Sequence, residues 1–391
     1  MPDGVLTVFD LWQRLHGTAP APWYLLDVRN EDEFARWPVE GVNAPRTVNI
    51  PYFTFIDDLD AALARVPRDA GQAVVLCAKG DSSEFVRDRL CEAGLQAVHV
   101  GGGMAAWGTL HVPLRLTEPP EELQIWQVSR YGKGCLSYVL ASDGDAVVVD
   151  PSRFVGVYEE LARKQGARIF GVLDTHVHAD HVSGAAELAR RTGARYVSPL
   201  TTSGQHDVIG IGRVREAVRA MRTPGHTPES TSFLLASGHL LSGDTLFVGG
   251  VGRPDLGNEL ESWGQMLYAS LRDVIGPLLP ETVVLPAHFA SAGEARRDGA
   301  VCATLGQLRD SLPELSERDP RAFLDRLAAS ITSPPPAYAL IVNANRTLLD
   351  PGDAADEWEL GRNECAAACA GRRSAPPRPP AGGHGAEGAH A

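Results

Sequence analysis

A dense group of potential metal ligands lies between residues 175 and 181, where the sequence reads THVHADH. This group directly follows the apolar run IFGVLD, which predicts a buried strand. Neutral imidazoles and carboxylates packed together without a metal would repel one another or stay unsatisfied. The spacing therefore predicts a metal site, whose candidate ligands are His176, His178, Asp180 and His181.

Three further side chains of ligand type occur at or next to the ends of strand-like runs. They are His226 in TPGHTPES, Asp244 in LSGDTLFVGG and His288 in LPAHFAS. In α/β folds, sites form where strand ends converge. We therefore expect these three residues to join the first group at one metal centre.

Two α/β units are predicted to position these residues. The first part of the chain alternates short apolar runs (WYLLDV, AVVLCA, AVHVGG) with helical stretches, which is typical of a parallel sheet with crossover helices. A second and larger set of strand-like runs begins at QIWQVSRY and later alternates with helices. Between them, TEPPEEL combines adjacent prolines with acidic residues and indicates a stiff, solvated connection.

We predict a first domain over residues 1–116, a linker over 117–123 and a second domain over 124–350. A C-terminal extension follows over 351–391. From about residue 370 it consists mainly of Pro, Gly and Ala, which offer almost nothing to bury. Such a composition does not offset the entropy lost on ordering, so this part is predicted to be disordered.

The charge balance excludes some classes of partner. The 391 residues include 36 Lys and Arg against 49 Asp and Glu, a formal charge of -13, whereas nucleic-acid binders concentrate positive charge. The six cysteines are scattered through a long chain, unlike those of a disulfide scaffold. No apolar run approaches the roughly 18 residues of a membrane helix. We expect a cytoplasmic homo-oligomer that binds neither nucleic acid nor membrane.

Residues 124 to 350 resemble the metallo-β-lactamase superfamily, in which an HxHxDH motif is followed by residues matching His226, Asp244 and His288 in this order. The resemblance implies a four-layer αβ/βα sandwich of two sheets and outer helices that holds one or two metals. One site would use His176, His178 and His226, and the other Asp180, His181 and His288, with Asp244 able to bridge. The fold alone does not determine the reaction.

The stretch GDTLFVGGVGRPDL is similar to that of persulfide dioxygenases. In that family a single iron is held by residues matching His176, His226 and Asp244. Two histidines and one carboxylate with open positions suit oxygen-activating non-haem iron. The resemblance leaves the other four candidates to orient these ligands or to line a vacant second site; they are His178, Asp180, His181 and His288.

Arg253 matches an arginine that lies near the thiol carrier of the substrate in this family. A structural role, in which Arg253 pairs with Asp255, is the alternative. The sequence departs from the family pattern at Phe289, where better-known members carry Asp, and at Gly250, where many bacterial relatives carry Asp. Neither departure removes a proposed iron ligand.

Residues 25 to 107 resemble a rhodanese through LLDVRNEDEF, VNIPYF, VVLCAKGDSSEFV and VGGGMAAW. The resemblance implies that Cys77 ends a strand and faces backbone amides that favour a thiolate or a persulfide. Active rhodaneses close this loop with an arginine, but Ser82 stands there and leaves Lys79 as the loop's cation for an anionic donor. Cys77 is either a persulfide carrier or a structural residue.

These resemblances lead to three hypotheses. The first is an Fe(II) persulfide dioxygenase with one iron per chain, which oxidises a low-molecular-weight persulfide such as glutathione persulfide with O2 to sulfite and thiol. The fused rhodanese-like domain would raise the effective concentration of sulfane sulfur or act as a sulfurtransferase. The second is a zinc thioester hydrolase resembling glyoxalase II, with one or two zincs, although no lysine follows residue 300 to hold glutathione. The third is a rhodanese-like module that docks a protein persulfide donor.

Overall fold

The structure is a computed structural model that describes residues 4–17, 22–43, 45–117, 121–201, 205–331, 334 and 337–367. The predicted disorder from about residue 370, and residues 118–120 of the predicted linker, lie outside the described residues. None of the helices in these ranges is long and apolar enough to cross a membrane.

A five-stranded parallel sheet forms the N-terminal unit, in the strand order β1-β5-β4-β2-β3. Its strands are β1 (Val5–Leu6), β2 (Trp23–Asp27), β3 (Thr47–Asn49), β4 (Gln72–Leu76) and β5 (Ala97–Val100). Its helices are α1 (Val8–His16), α2 (Glu31–Arg36), α3 (Tyr52–Asp57), α4 (Leu59–Arg65), α5 (Asp81–Glu92) and α6 (Gly103–Thr109). The central strands β2 and β4 are apolar runs rather than alternating patterns, because helices cover both faces of the sheet.

Two six-stranded sheets form the C-terminal unit, in the orders β11-β10-β9-β8-β7-β6 and β12-β13-β14-β15-β17-β18. The strands are β6 (His111–Arg115), β7 (Gln124–Arg130), β8 (Cys135–Ser142), β9 (Asp145–Val149), β10 (Arg168–Leu173), β11 (Arg195–Val197), β12 (Gln205–Ile211), β13 (Val214–Arg222), β14 (Thr231–Leu235), β15 (His239–Gly243), β16 (Val251–Gly252), β17 (Val283–Pro286), β18 (Ala303–Thr304) and β19 (Ala366–Ala367). Strands β16 and β19 pair separately as a small antiparallel ribbon.

Helices cover the outer face of each large sheet. They are α7 (Gly156–Lys164), α8 (Ala185–Thr192), α9 (Leu260–Ala269, continued by a π-helical turn over Ser270–Ile275), α10 (Leu305–Ser311), α11 (Pro313–Ser316) and α12 (Pro320–Ser330). Two further helices lie elsewhere: α13 (Ala337–Thr347) packs against the loop that follows β10, and α14 (Ala354–Trp358) packs on α13. Alternate residues of β8 point to opposite sides: Leu140 packs between the sheets, whereas Val139 packs with α7 and α8. The predicted four-layer αβ/βα sandwich is therefore confirmed, as is the α/β character of the N-terminal unit.

The two units share one continuous core. Strand β6 lies within the predicted first domain, yet it pairs antiparallel with β7, so the second unit's sheet begins before the predicted linker. Trp107 of the first unit packs in the same buried cluster as Leu136 of the second. The indole N–H of Trp37 also donates to the carbonyl oxygen of Gly132 at 2.8 Å. Because apolar surface is buried across this junction, the two units are held together as well as connected by the chain.

Glu359, just after α14, ties the C-terminal segment to the metal-site loop. Its carboxylate accepts hydrogen bonds from Arg130 at 2.5 Å, from Arg153 at 3.2 Å and from the backbone N–H of Val182 at 2.8 Å. Burial by itself raises the pKa of Glu359, but Arg130 and Arg153 outweigh it and lower the pKa. The residue is therefore a buried carboxylate with two cationic partners.

Replacing Glu359 by Ala should destabilise the chain by about 3–5 kcal/mol, because it leaves the buried guanidinium of Arg130 without its carboxylate. Chemical denaturation measures the free energy of unfolding. Glu357→Ala is the matched control, since Glu357 lies on the exposed side of α14. Equal unfolding free energies for the two variants would contradict this account of the segment.

Candidate metal centre

The loops that carry the candidate ligands meet at one edge of the sandwich. Residues 176–181 follow β10 of the first sheet, while Asp244 and His288 follow the parallel neighbours β15 and β17 of the second. The two sheets come very close here. Gly243 has a φ of 55°, and a Cβ on it would lie 2.7 Å from the hydroxyl oxygen of Thr175, so this position requires glycine.

Two imidazoles and one carboxylate converge with unpaired atoms. Asp244 Oδ2 lies 3.6 Å from His176 Nε2 and 3.4 Å from His226 Nε2, and all three atoms lie within 4.8 Å of one another. The three side chains are fully buried, and none of these atoms has a hydrogen-bond partner. Buried polar atoms are normally paired, so a set of orphaned lone pairs facing one point fits a metal cation.

In both His176 and His226, Nδ1 donates a hydrogen bond. The Nε2 atoms that face Asp244 therefore carry lone pairs. The hydroxyl of Thr175 donates to Asp150 Oδ2 at 2.9 Å, and its oxygen therefore accepts from His176 Nδ1 at 2.9 Å. His226 Nδ1 donates to the carbonyl oxygen of Arg253 at 2.9 Å. Such outer hydrogen bonds determine the tautomer and the orientation of metal-binding histidines.

Asp150 supports this arrangement from an unusual backbone position. It has a φ of 52°, which is rare for a residue other than glycine. Its Oδ1 accepts from the backbone N–H of Thr175 at 2.6 Å and lies 3.2 Å from His178 Nε2. Burial by itself lowers the pKa of His178, but Asp150 and Asp174 outweigh it and raise the pKa. His178 is thus bound to carboxylates, and its nitrogens are not grouped with those of His176 and His226.

His288 lies between two carboxylates. Its Nδ1 is 2.6 Å from Asp244 Oδ1, and its Nε2 is 3.1 Å from Asp180 Oδ2. Burial opposes protonation, but Asp180 and Asp244 raise the pKa of His288 well above its usual value. A second group of potential ligand atoms comes from Cys135, Asp180, His181 and His288. The predicted second set is therefore close together, with the thiol of Cys135 as an unpredicted member.

Arg253 and Cys365 relate the site to the C-terminal segment. The guanidinium of Arg253 pairs with Asp255 at 2.7 Å and donates to the carbonyl oxygen of Glu364 at 3.4 Å. This pairing is the structural alternative considered for Arg253. The thiol of Cys365 is fully buried and groups with Asp244 and His288. Sequence reasoning missed Cys365, since it lies in no recognisable motif.

Cys77 lies in a second candidate site, at the end of β4. The backbone N–H of Gly80 donates to its sulfur at 3.0 Å, and its thiol donates to the hydroxyl oxygen of Ser83 at 3.3 Å. Helix α5 begins at Asp81, so Ser82 falls in the first turn of that helix. An adjacent pocket of about 300 Å³ is lined partly by cationic side chains and partly by the C-terminal segment; its residues include Arg29, Arg36, Lys79, Leu360 and Gly361.

Part of the second unit is similar in sequence to a known family and to curated proteins. The family model described as the metallo-beta-lactamase superfamily matches residues 130–204. A hydroxyacylglutathione hydrolase of Anaeromyxobacter dehalogenans is 40% identical over 135 residues, which are 33% of this chain and 52% of that protein. The hydroxyacylglutathione hydrolase of Halorhodospira halophila is 38% identical over 209 residues, which are 49% of this chain and 77% of that protein. The chain thus spans about half of the first of these relatives and about three quarters of the second.

Solved structures match each unit separately. A metallo-beta-lactamase from Staphylococcus aureus is 26% identical with a TM-score of 0.49, covering 60% of this chain and 72% of its own. The structure of ETHE1 from Myxococcus xanthus is 25% identical with a TM-score of 0.47, covering 61% and 99%. A rhodanese-like domain protein from Staphylococcus aureus is 30% identical with a TM-score of 0.22, covering 27% and 90%.

Alanine at His176, His226 or Asp244 should strip the bound metal from the purified protein, because each change removes one of three convergent ligand atoms. We expect the metal affinity to fall by more than the roughly 10- to 100-fold that loss of an outer hydrogen-bonding partner costs. Elemental analysis of the purified variants and competition with a chelator measure this loss.

His181→Ala is the control, since His181 belongs to the second group of ligand atoms alone. It should keep the metal content of the unchanged protein. A loss of half the metal in His181→Ala would contradict a single-metal centre.

Proposed function

The chain belongs to the metallo-beta-lactamase superfamily, and we propose that within it the chain is a persulfide dioxygenase with one Fe(II) bound by His176, His226 and Asp244. It oxidises a low-molecular-weight thiol persulfide, such as glutathione persulfide, with O2, and releases sulfite and the thiol. These residues would hold the iron through two imidazoles and one carboxylate, and the iron would supply the activation of O2.

The observation that carries this proposal is the convergence of two imidazole nitrogens and one carboxylate oxygen on one point. His176 Nε2, His226 Nε2 and Asp244 Oδ2 face one point without partners. One ring nitrogen of each remaining histidine lies beside a carboxylate: His178 Nε2 beside Asp150, and His181 Nδ1 and His288 Nε2 beside Asp180. His178 Nδ1 and His181 Nε2 are also buried and unpaired, but neither residue groups with the first three. One carboxylate and two imidazoles are the ligand set that non-haem iron oxygenases use.

The surrounding side chains orient the ligands and exclude water. Thr175 and the carbonyl group of Arg253 hold the two imidazoles with their lone pairs inward. His288 holds Oδ1 of Asp244 and leaves Oδ2 facing inward. Since these side chains are almost completely buried, a reactive sulfur species at the site is protected from hydrolysis and from loss to solvent.

A binuclear zinc thioester hydrolase is the second candidate. The grouping of Cys135, Asp180, His181 and His288 favours it, because these atoms are close enough for a second metal. The names of the curated relatives, hydroxyacylglutathione hydrolases, favour it as well. It would use His178 through Nδ1, which is buried and unpaired, because Nε2 is bound to Asp150. Against it, no lysine follows residue 300 to hold glutathione.

For the N-terminal unit we propose a sulfurtransferase role in which Cys77 carries sulfane sulfur. The Gly80 N–H at its sulfur would stabilise a persulfide anion. Lys79, Arg29 and Arg36 line the adjacent pocket and suit an anionic donor, either a small molecule or a protein persulfide. Arg29 is paired with Asp27 at 2.6 Å and Arg36 with Asp32 at 2.7 Å, while Lys79 is exposed directly beside the Cys77 loop.

The metal content separates the two candidates. We expect about one iron per chain after anaerobic purification, and O2 uptake with release of sulfite when glutathione persulfide is added. An oxygen electrode and a sulfite assay follow the reaction. Because His288 binds no metal in this proposal, His288→Ala should retain more activity than His226→Ala.

Two zincs per chain, no O2 uptake with glutathione persulfide, and hydrolysis of a glutathione thioester would overturn the dioxygenase. His288→Ala and Asp180→Ala would then be as inactive as His226→Ala, since each would empty the second metal position.

A second prediction concerns the Cys77 loop. Cys77→Ser should abolish sulfur transfer from thiosulfate to cyanide, and Ser82→Arg should raise it several-fold, because an added guanidinium beside the pocket binds the anionic donor. The measurement is thiocyanate formation. Ser82→Gln, which has a similar length without the charge, is the control. Equal rates in the two Ser82 variants would contradict the role assigned to the missing cation.

A further inference from the structure

One short C-terminal segment touches both candidate sites. Leu360 and Gly361 line the pocket beside the Cys77 loop. Cys365 follows Leu360 by five residues (365 − 360), so the chain between them spans at most about 18 Å. The thiol of Cys365 lies at the metal centre, within 4.8 Å of ligand atoms of Asp244 and His288.

Hydrogen bonds hold the segment in one position beside the metal centre. The side-chain amide of Asn363 donates to three backbone carbonyl oxygens, those of Lys133, Gly134 and Phe289, each at 3.1 Å. Strand β19 pairs with β16, which directly precedes Arg253. The backbone N–H of Arg253 donates to the carbonyl oxygen of Cys365 at 3.1 Å. These bonds hold the backbone on both sides of Cys365.

The thiol of Cys365 lies beside the metal centre, and the hydroxyl of Tyr338 is 3.9 Å from its sulfur. Asp244 Oδ2 is fully buried and lacks a hydrogen-bond partner, and both Asp244 and His288 group with the Cys365 sulfur. The Cys365 sulfur therefore lies within 4.8 Å of one ligand atom of Asp244, which is also a ligand of the proposed iron. Its burial leaves no exposed surface on Cys365.

The segment also contacts Arg253, which the family resemblance places near the thiol carrier of the substrate. Arg253 was expected to lie near that carrier, and it instead binds the carbonyl oxygens of Glu364 and Cys365. The chain's own backbone therefore stands in for the carrier, with a cysteine at the reacting end.

We propose that Cys365 is the thiol that carries sulfane sulfur into the metal centre, so that the persulfide oxidised there is formed on the chain itself. This inference rests on the proposed dioxygenase function. The low-molecular-weight persulfide acts as the sulfur donor, and the segment that joins the two sites is the carrier arm.

Loading is a thiol–persulfide exchange. The sulfur of Cys365 attacks the outer sulfur of the donor RS–SH, the S–S bond of the donor breaks, and a new S–S bond forms on Cys365. The thiol proton of Cys365 goes to the departing RS⁻. Since Cys365 is fully buried in the docked position, loading takes place with the segment lifted, and Glu359 anchors its start.

Oxidation then regenerates the carrier. The persulfide Cys365–S–SH, O2 and H2O give Cys365–SH and sulfurous acid. The S–S bond on Cys365 breaks, the outer sulfur is oxidised, O2 is the electron acceptor, and water supplies the third oxygen of sulfite. The thiol is ready for another donor after each turnover.

Mass spectrometry of the iron-loaded full-length protein tests this carrier directly. Under anaerobic conditions, glutathione persulfide should add one sulfur atom to the peptide that contains Cys365, and trapping with an alkylating agent preserves it. Admission of air should remove this sulfur and release sulfite in the same amount. This readout uses the unchanged chain, so it does not depend on the folding of a variant.

Cys365→Ser is the matched activity test, with Cys302→Ser as the control because Cys302 lies away from both sites. Cys365→Ser should keep its iron and lower O2 uptake with glutathione persulfide on the order of 100-fold or more, as expected when a reacting group loses its held position. Cys302→Ser should match the unchanged protein.

Each alternative outcome is distinct. If Cys365→Ser oxidises glutathione persulfide at the unchanged rate or faster, and no sulfur is trapped on Cys365, the carrier proposal is wrong and the segment is a structural or inhibitory cover. If sulfur accumulates on Cys365 but air releases no sulfite, the carrier stands and the dioxygenase function fails.

Discussion

The arrangement of the loops at the edge of the sandwich depends on three buried ligand atoms that have no hydrogen-bond partner. Two imidazole nitrogens and one carboxylate oxygen, from His176, His226 and Asp244, face one point with no hydrogen-bond partner. Leaving such atoms unpaired costs roughly 1–3 kcal/mol for each group. A bound cation removes this cost, so the metal and the sandwich edge stabilise one another. The surrounding loops are built to hold these three atoms in place.

Carboxylates around the ligands connect the loops through hydrogen bonds and ion pairs. Asp150 orients Thr175 and His178, while His288 connects Asp180 with Asp244. Buried charges of this kind are tolerated when each has an opposite charge or a donor beside it. The strained backbone of Asp150 and the obligatory glycine at position 243 are the local consequences of bringing two sheets this close. Both features lie at the site, where backbone strain is commonly found.

The N-terminal unit is part of the same body. Its core continues into the sandwich, and the segment from Glu359 to Cys365 runs between the Cys77 pocket and the metal centre. In the proposed function, this connection would give the two sites a high effective concentration for each other.

The sequence by itself determined the strands and helices of the sandwich and the set of candidate metal ligands. Apolar runs such as IFGVLD predict strands, and HxHxDH predicts a metal site, because both signals are local in the chain. Only the tertiary structure decided which candidates act together. Which nitrogen of His178 meets Asp150, and whether Arg253 meets Glu364, depends on neighbours from distant segments. Cys365 carries no local signal, and it reaches the centre only because Asn363 and Glu359 hold its segment against the sandwich.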